Sequence, residues 1–210
     1  MNTLDSLGIG KALELFPEQI KTTFDQAMAS NIEKVDFDSV VISGMGGSSN
    51  AGKIIESLIS DSFNKPFVVF NDYGLPSLVN QNTLVVLNSY SGNTEETLSA
   101  YESAKKVGAK VIGITTGGKL AEIINSGVIK GVVVNNGDTN PSGYPKSGLG
   151  LSFGALFGSL IKAGILNFSK EELLNSLTEL TEIRKSWNME SISKDFEKKV
   201  PVLFSSKSLL

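Results

Sequence analysis

The sequence predicts an α/β protein: a three-layer αβα sandwich on a parallel sheet, with a helical N-terminal lead-in and a helical C-terminal extension. Three observations predict it. Short apolar runs rich in β-branched residues recur without polar alternation, as strands buried on both faces do. Segments of helical periodicity separate most of these runs, which implies right-handed strand–helix–strand crossovers. Two of the runs end in turns rich in glycine and hydroxyl residues that open directly into a helix.

In chain order, residues 1–36 read as the helical lead-in. Pro17 suits a helix start, and Ile20, Phe24 and Met28 share one face. The main domain is expected over residues 37–190. Its strands are expected at Ser39–Ser43, Pro66–Phe70, Leu84–Leu87, Val111–Ile114 and Val132–Val134. Pro76 and a shortage of apolar residues make the connection from Phe70 to Leu84 a loop rather than a full helix. Asn135–Lys146 (NNGDTNPSGYPK) has no periodicity, and connections of that length tend to be functional or disordered. An apolar helix is expected over Ser147–Ile165. Ser169-Lys170-Glu171-Glu172 is a capping box for a further helix, with Leu173, Leu177 and Leu180 along one face, continuing past Trp187 to about Lys199. Val200–Ser206 then reads as a strand entering a serine-rich turn, much like Ser39–Gly44. It is either a last edge strand or the start of a second, truncated α/β unit, and we take residues 191–210 as the latter.

Composition excludes several classes of function. A net charge of −3 and a pI near 5.1, without any basic run, argue against nucleic-acid binding. The absence of cysteine removes disulfides, thiolate nucleophiles and thiolate-bound metal, and the absence of histidine removes the commonest general base and metal ligand. No metal or other cofactor is expected. No signal-peptide pattern or membrane-length apolar run is present, so the expected setting is the cytoplasm, away from membranes.

The first glycine-rich turn, Ser43–Gly52 (SGMGGSSNAG), joins a strand to a helix. Glycines allow the backbone to approach an anion, and the free N–H groups of a helix start, together with the Ser48 hydroxyl, favour phosphate. Such turns are also used simply to pack a helix on a sheet. The second turn, Asn88–Thr97 (NSYSGNTEET), is more telling: Ser89, Ser91 and Thr94 surround Gly92 at the carboxyl end of a strand. A cap at Asn93 or Thr94 needs one hydroxyl rather than three. Glu95 and Glu96 are assigned to the helix dipole, with Glu96 at capping-box spacing from Asn93, rather than to catalysis. A dinucleotide reading competes, since Gly44-x-Gly46-x-x-Ser49 nearly fits G-x-G-x-x-G and Asp72 stands where a ribose-binding acid would. Its third glycine is a serine, and it leaves the second turn unexplained. A Walker A lysine is missing too.

In this order the turns resemble the SIS (sugar isomerase) fold, and the wording is closest to the bifunctional phosphoglucose/phosphomannose isomerases. The resemblance rests on Gly44–Ser48, Asp72–Pro76 (DYGLP), Ser89–Thr97 and Tyr144–Ser147 (YPKS). It covers about Val40 to the end, with Val200–Ser206 similar to the first strand of the family's second SIS domain. It implies that Gly46, Gly47, Ser48, Ser89, Ser91 and Thr94 bind the phosphate of a hexose 6-phosphate. The implied reaction interconverts glucose 6-phosphate or mannose 6-phosphate with fructose 6-phosphate through an enediolate, which needs a base and a cation. Where the family has an arginine after proline, this chain has Lys146, read either as that cation or as a solvated lysine; lysine lacks the planar fork. The family's glutamate base, histidine and a lysine lie in its second SIS domain, so this chain is expected to bind a hexose phosphate without isomerising it. A stand-alone sugar-phosphate sensor is the alternative, and a homodimer is a further expectation.

Overall fold

The computed structural model describes residues 6–186. The chain divides into two compact units, residues 1–168 and 169–210. The expected helix end near Lys199, the 190/191 boundary and the strand at 200–206 lie outside the described residues.

In the first unit, helices α1 (Ile9–Glu14) and α2 (Phe16–Ala29) form the lead-in, with Pro17 in the first turn of α2 as its fixed φ favours. Then follow β1 (Ser39–Ser43), α3 (Gly46–Ile59), β2 (Phe67–Phe70), β3 (Thr83–Ser89), α4 (Glu95–Val107), β4 (Lys110–Thr115), α5 (Gly118–Asn125) and β5 (Lys130–Val133). A 3₁₀ turn at Pro145–Gly148 leads into α6 (Leu149–Lys162). The sheet order is β2-β1-β3-β4-β5, and every pairing is parallel. Strands β1 and β3 are buried along their whole length, whereas the edge strand β2 is half-buried throughout. That burial is why the central strands read as unbroken apolar runs. The stretch between β2 and β3 carries no helix, as Pro76 implies.

The two faces of the sheet are covered differently. On one, α4 and α5 close over Val85 and Leu87 of β3 through Ala100, Tyr101, Ala104, Leu120 and Ile124. On the other lie α3, α6 and α2, with α2 and α6 in the most extensive helix contact of the unit. Gly150, Gly154 and Gly158 recur every four residues along α6 and let α2 approach. A Cβ at Gly154 would stand 2.2 Å from the Ile20 carbonyl oxygen, and one at Gly158 2.9 Å from the Ala27 methyl. Helix α6 is apolar nearly all round, as a buried helix is.

In the second unit, α7 spans Lys170–Ser186. Its capping box forms as expected: the Ser169 N–H donates to Glu172 Oε2 (2.8 Å) and the Glu172 N–H donates to Ser169 Oγ (3.1 Å). The Ser169 N–H, and after it the Ser169 hydroxyl, hold the Glu172 carboxyl below the usual glutamate range.

Candidate phosphate-binding site

Strand order reverses between β1 and β3, and ligands of open α/β sheets bind beyond the carboxyl ends of the strands at such a point. Both glycine- and hydroxyl-rich turns begin there. Period-two alternation sends the last residues of β3 to opposite faces. Asn88 faces α3 and α6, and its buried Nδ2 donates to the Ser48 carbonyl and to Ser152 Oγ, both at 2.9 Å. Ser89 faces α4, and its Oγ lies 2.8 Å from Thr94 Oγ1. The next residue returns to the first turn, the Tyr90 N–H donating to Ser48 Oγ at 3.2 Å. Asn88 and Tyr90 thereby fasten the first turn to the second. Close packing at Gly44 adds to this, since a Cβ there would lie 2.7 Å from the Asn88 carbonyl oxygen.

The second turn is wired within itself. The Gly92 N–H donates to Ser89 Oγ (3.1 Å), and the Asn93 N–H donates to Ser91 Oγ (3.3 Å). Gly92 has φ of 70° and presses on the turn after β4: a Cβ would come 1.8 Å from the Gly117 carbonyl oxygen. Neither the backbone angle nor the space admits another residue.

The expected caps are corrected here. Thr94 occupies the N-cap of α4, yet its hydroxyl faces Ser89 instead of its own helix, because the end of β3 offers a partner in reach. Asn93 Oδ1 accepts the Lys119 N–H at the start of α5 (3.0 Å), so Glu96 completes no capping box with it. Neither α3 nor α4 receives a side-chain cap. The Ser48 N–H donates to the Met45 carbonyl (3.1 Å); the other first-turn N–H groups, with the positive dipole ends, receive no acceptor from a capping side chain. Glu95 accepts the Tyr73 hydroxyl at 3.0 Å, tying the DYGLP loop to the start of α4. That bond and the carboxylate charge raise the Tyr73 pKa above the usual tyrosine value.

The hydroxyls are therefore prearranged. Ser48, Ser89 and Ser91 each accept one backbone N–H, from Tyr90, Gly92 and Asn93 respectively. Among the described residues, Ser48 and Ser91 have no acceptor of their own, and Ser89 and Thr94 share one hydrogen between them. Ser48 and Ser91 keep donor capacity, and one hydrogen is left over for the Ser89–Thr94 pair. Gly46 and Gly47 open α3 beside them, with φ of 53° at Gly46. Of the six expected phosphate residues, Gly46, Gly47 and Ser48 stand on the first turn and Ser89, Ser91 and Thr94 on the second, and Tyr90 joins the two.

An arch of residues 134–144 leads to the 3₁₀ turn and brings Pro145–Lys146 over the first turn; a Cβ at Gly47 would be 3.6 Å from the Pro145 carbonyl oxygen. The Lys146 side chain is exposed. Buried Asn140 organises the arch, its Nδ2 donating to the Tyr144 carbonyl and to the Tyr90 hydroxyl, both at 3.1 Å. The structural roles of Asn88, Tyr90 and Asn140 are not evident in the sequence. The signal for Asn88 is an amide in an otherwise apolar strand, Thr83–Ser89 (TLVVLNS), since a buried amide needs partners.

The model of the SIS domain family matches residues 35–122, the stretch that holds both turns. Residues 35–122 thus match the SIS-domain family. Among its relatives, a bifunctional phosphoglucose/phosphomannose isomerase from Caldicellulosiruptor bescii is 38% identical over 177 residues, which cover 83% of this chain and 50% of that one. Another from Thermoplasma volcanium is 34% identical over 195 residues, covering 91% and 59%. The chain thus spans about half the length of the curated relatives it matches. A crystal structure from Clostridium difficile 630, assigned as a phosphosugar isomerase, superposes with a TM-score of 0.56 at 19% identity, covering 82% of this chain and 50% of that one. That likeness shows the fold. Among the described residues, no helix is long and apolar enough to cross a membrane, and no group of three or more acidic, histidine or cysteine side chains could hold a metal ion.

Proposed function

We propose that this SIS domain binds the phosphate of a hexose 6-phosphate through Gly46, Gly47, Ser48, Ser89, Ser91 and Thr94. The observation that carries the reading is the donor-rich character of the site. Three serines each have one oxygen lone pair engaged by a backbone N–H group, and neither helix start receives a side-chain cap. Such a site suits a group that only accepts hydrogen bonds, and a phosphate dianion is one. The named activities of the relatives, phosphoglucose and phosphomannose isomerases, supply the sugar. Lys146, over the first turn, is assigned as the cation beside the reacting oxygens.

In this reading the chain by itself binds without isomerising. An aldose–ketose shift needs a base placed against a carbon-bound proton. The sequence has no histidine, and Glu95 at the second turn is engaged by Tyr73. Phosphate contacts alone bind ground and transition states alike.

Calorimetric titration with fructose 6-phosphate, fructose and NAD tests the ligand class. Saturable binding of the phosphorylated sugar alone is expected. Binding of NAD alone would overturn the reading in favour of a dinucleotide site, and turnover of glucose 6-phosphate at ordinary enzymatic rates would overturn the binding-only part.

A further inference from the structure

Helix α2 lies on the far side of the arch from the phosphate turns, and two glutamines seven residues apart on it grip the arch at both ends. Gln26 exchanges hydrogen bonds with the Asn135 backbone, its Nε2 donating to the carbonyl (2.7 Å) and its Oε1 accepting the N–H (2.8 Å). Gln19 is fully buried, and its Nε2 faces the carbonyls of Ala12 (3.2 Å), Thr139 (2.8 Å) and Ser147 (3.0 Å). Among the described residues its Oε1 has no partner. A buried amide oxygen without a partner is unfavourable, so an apolar residue would suit this helix face better unless the donor end has a purpose. That donor end faces one carbonyl in the middle of the arch, Thr139, and one just beyond its end, Ser147, which is next to Lys146.

We propose that Gln19 is a positioning residue: it clamps the arch so that Lys146 stays over the first phosphate turn, and it thereby makes the lead-in part of the sugar-phosphate site. The ligand side of this inference rests on the function proposed above; the clamp itself does not. Gln19 acts through Lys146, so the two residues share one effect on the ligand. A carboxylate at position 19 would face three carbonyl oxygens and repel them, and on protonation it would regain a single donor.

Two measurements decide it. Trypsin cuts after the exposed Lys146, before buried Ser147. Gln19→Met is expected to raise the rate of that cut at least tenfold over wild type while cuts at lysines outside the arch stay unchanged. Calorimetry with fructose 6-phosphate is expected to show Gln19→Met binding about tenfold more weakly, with less than a twofold further loss when Gln19→Met is added to Lys146→Ala. Gln19→Glu covers the case in which the methionine variant fails to fold. Measured against wild type at each pH, its binding is expected to improve between pH 8 and pH 5.5. An unchanged cut at Lys146, an equal loss of affinity with and without Lys146, or a pH-independent Gln19→Glu deficit would each overturn the proposal. If wild type binds no fructose 6-phosphate, the proposed function fails and the cleavage rate alone decides the clamp.

Discussion

The two phosphate turns look alike in sequence but are supported in different ways. The turn after β3 holds itself: Ser89 with Thr94, Gly92 with Ser89 and Asn93 with Ser91 are bonds within ten residues, buttressed by the turn after β4. The turn after β1 takes its shape from its neighbour, because the Ser48 hydroxyl and carbonyl are both held by residues at the end of β3. One turn is the template and the other is cast on it. Damage to the second turn should therefore spread to the first, and damage to the first should stay local.

The largest effect is expected from Gly92→Ala. Left-handed backbone strain and a collision with the Gly117 carbonyl together should cost on the order of 4 kcal/mol, read by denaturant unfolding, with sugar-phosphate binding abolished. Amide exchange in this variant should quicken at Gly47 and Ser48 as well as at Gly92 and Asn93. Exchange confined to residues 89–94 would contradict the template relation.

Asn88→Ala comes next. It leaves the Ser48 carbonyl and the Ser152 hydroxyl without their donor, at a cost of about 2 kcal/mol in stability. It should weaken fructose 6-phosphate binding although Asn88 lies beneath the site; unchanged affinity would mean that the first turn holds itself. Ser48→Ala is the reverse case: affinity falls about tenfold, the equivalent of ~1.4 kcal/mol, and amide exchange quickens at Tyr90, whose N–H loses its acceptor, but stays as in wild type over 91–94.

The smallest effect belongs to Tyr73→Phe, which frees Glu95 beside the second turn. Spectrophotometric titration of wild type should show one tyrosine ionising above the usual range, absent in the variant. Because the folded-state pKa is raised, this bond favours the fold below the ordinary tyrosine value and is lost as pH rises through the raised one. Loss of unfolding stability in Tyr73→Phe at neutral pH beyond experimental error would assign the DYGLP loop a larger part in holding the second turn.

The fold was largely legible in the sequence because parallel strands buried on both faces leave an unmixed apolar signature. The runs at 39–43, 66–70, 84–87, 111–114 and 132–134 correspond to the five observed strands to within two residues at either end. Both turns and their residue types were equally plain. Their wiring was not. Local rules assign Thr94 and Asn93 to capping α4, but partners brought near by the sheet, Ser89 and the Lys119 amide, outcompete the helix's own N–H groups. The apolar run from Ser147 likewise starts in a 3₁₀ turn, with the α-helix itself over 149–162. Gln19 gave no local signal either, since a glutamine on an amphipathic helix reads as solvated until the glycines of α6 bring that face inside.

The surplus of donors at the two turns has a consequence for how the site responds to acidity. A donor-rich pocket gains most from the dianion, and the proton that a phosphate monoester acquires near pH 6 removes an acceptor and lowers the charge those donors meet. The chain contains no histidine, the one side chain whose ordinary pKa falls between pH 5 and 8. Across that interval the titrating partner is the ligand: affinity should follow the second ionisation of the sugar phosphate in free solution, and the sensor of pH would be the metabolite rather than the protein.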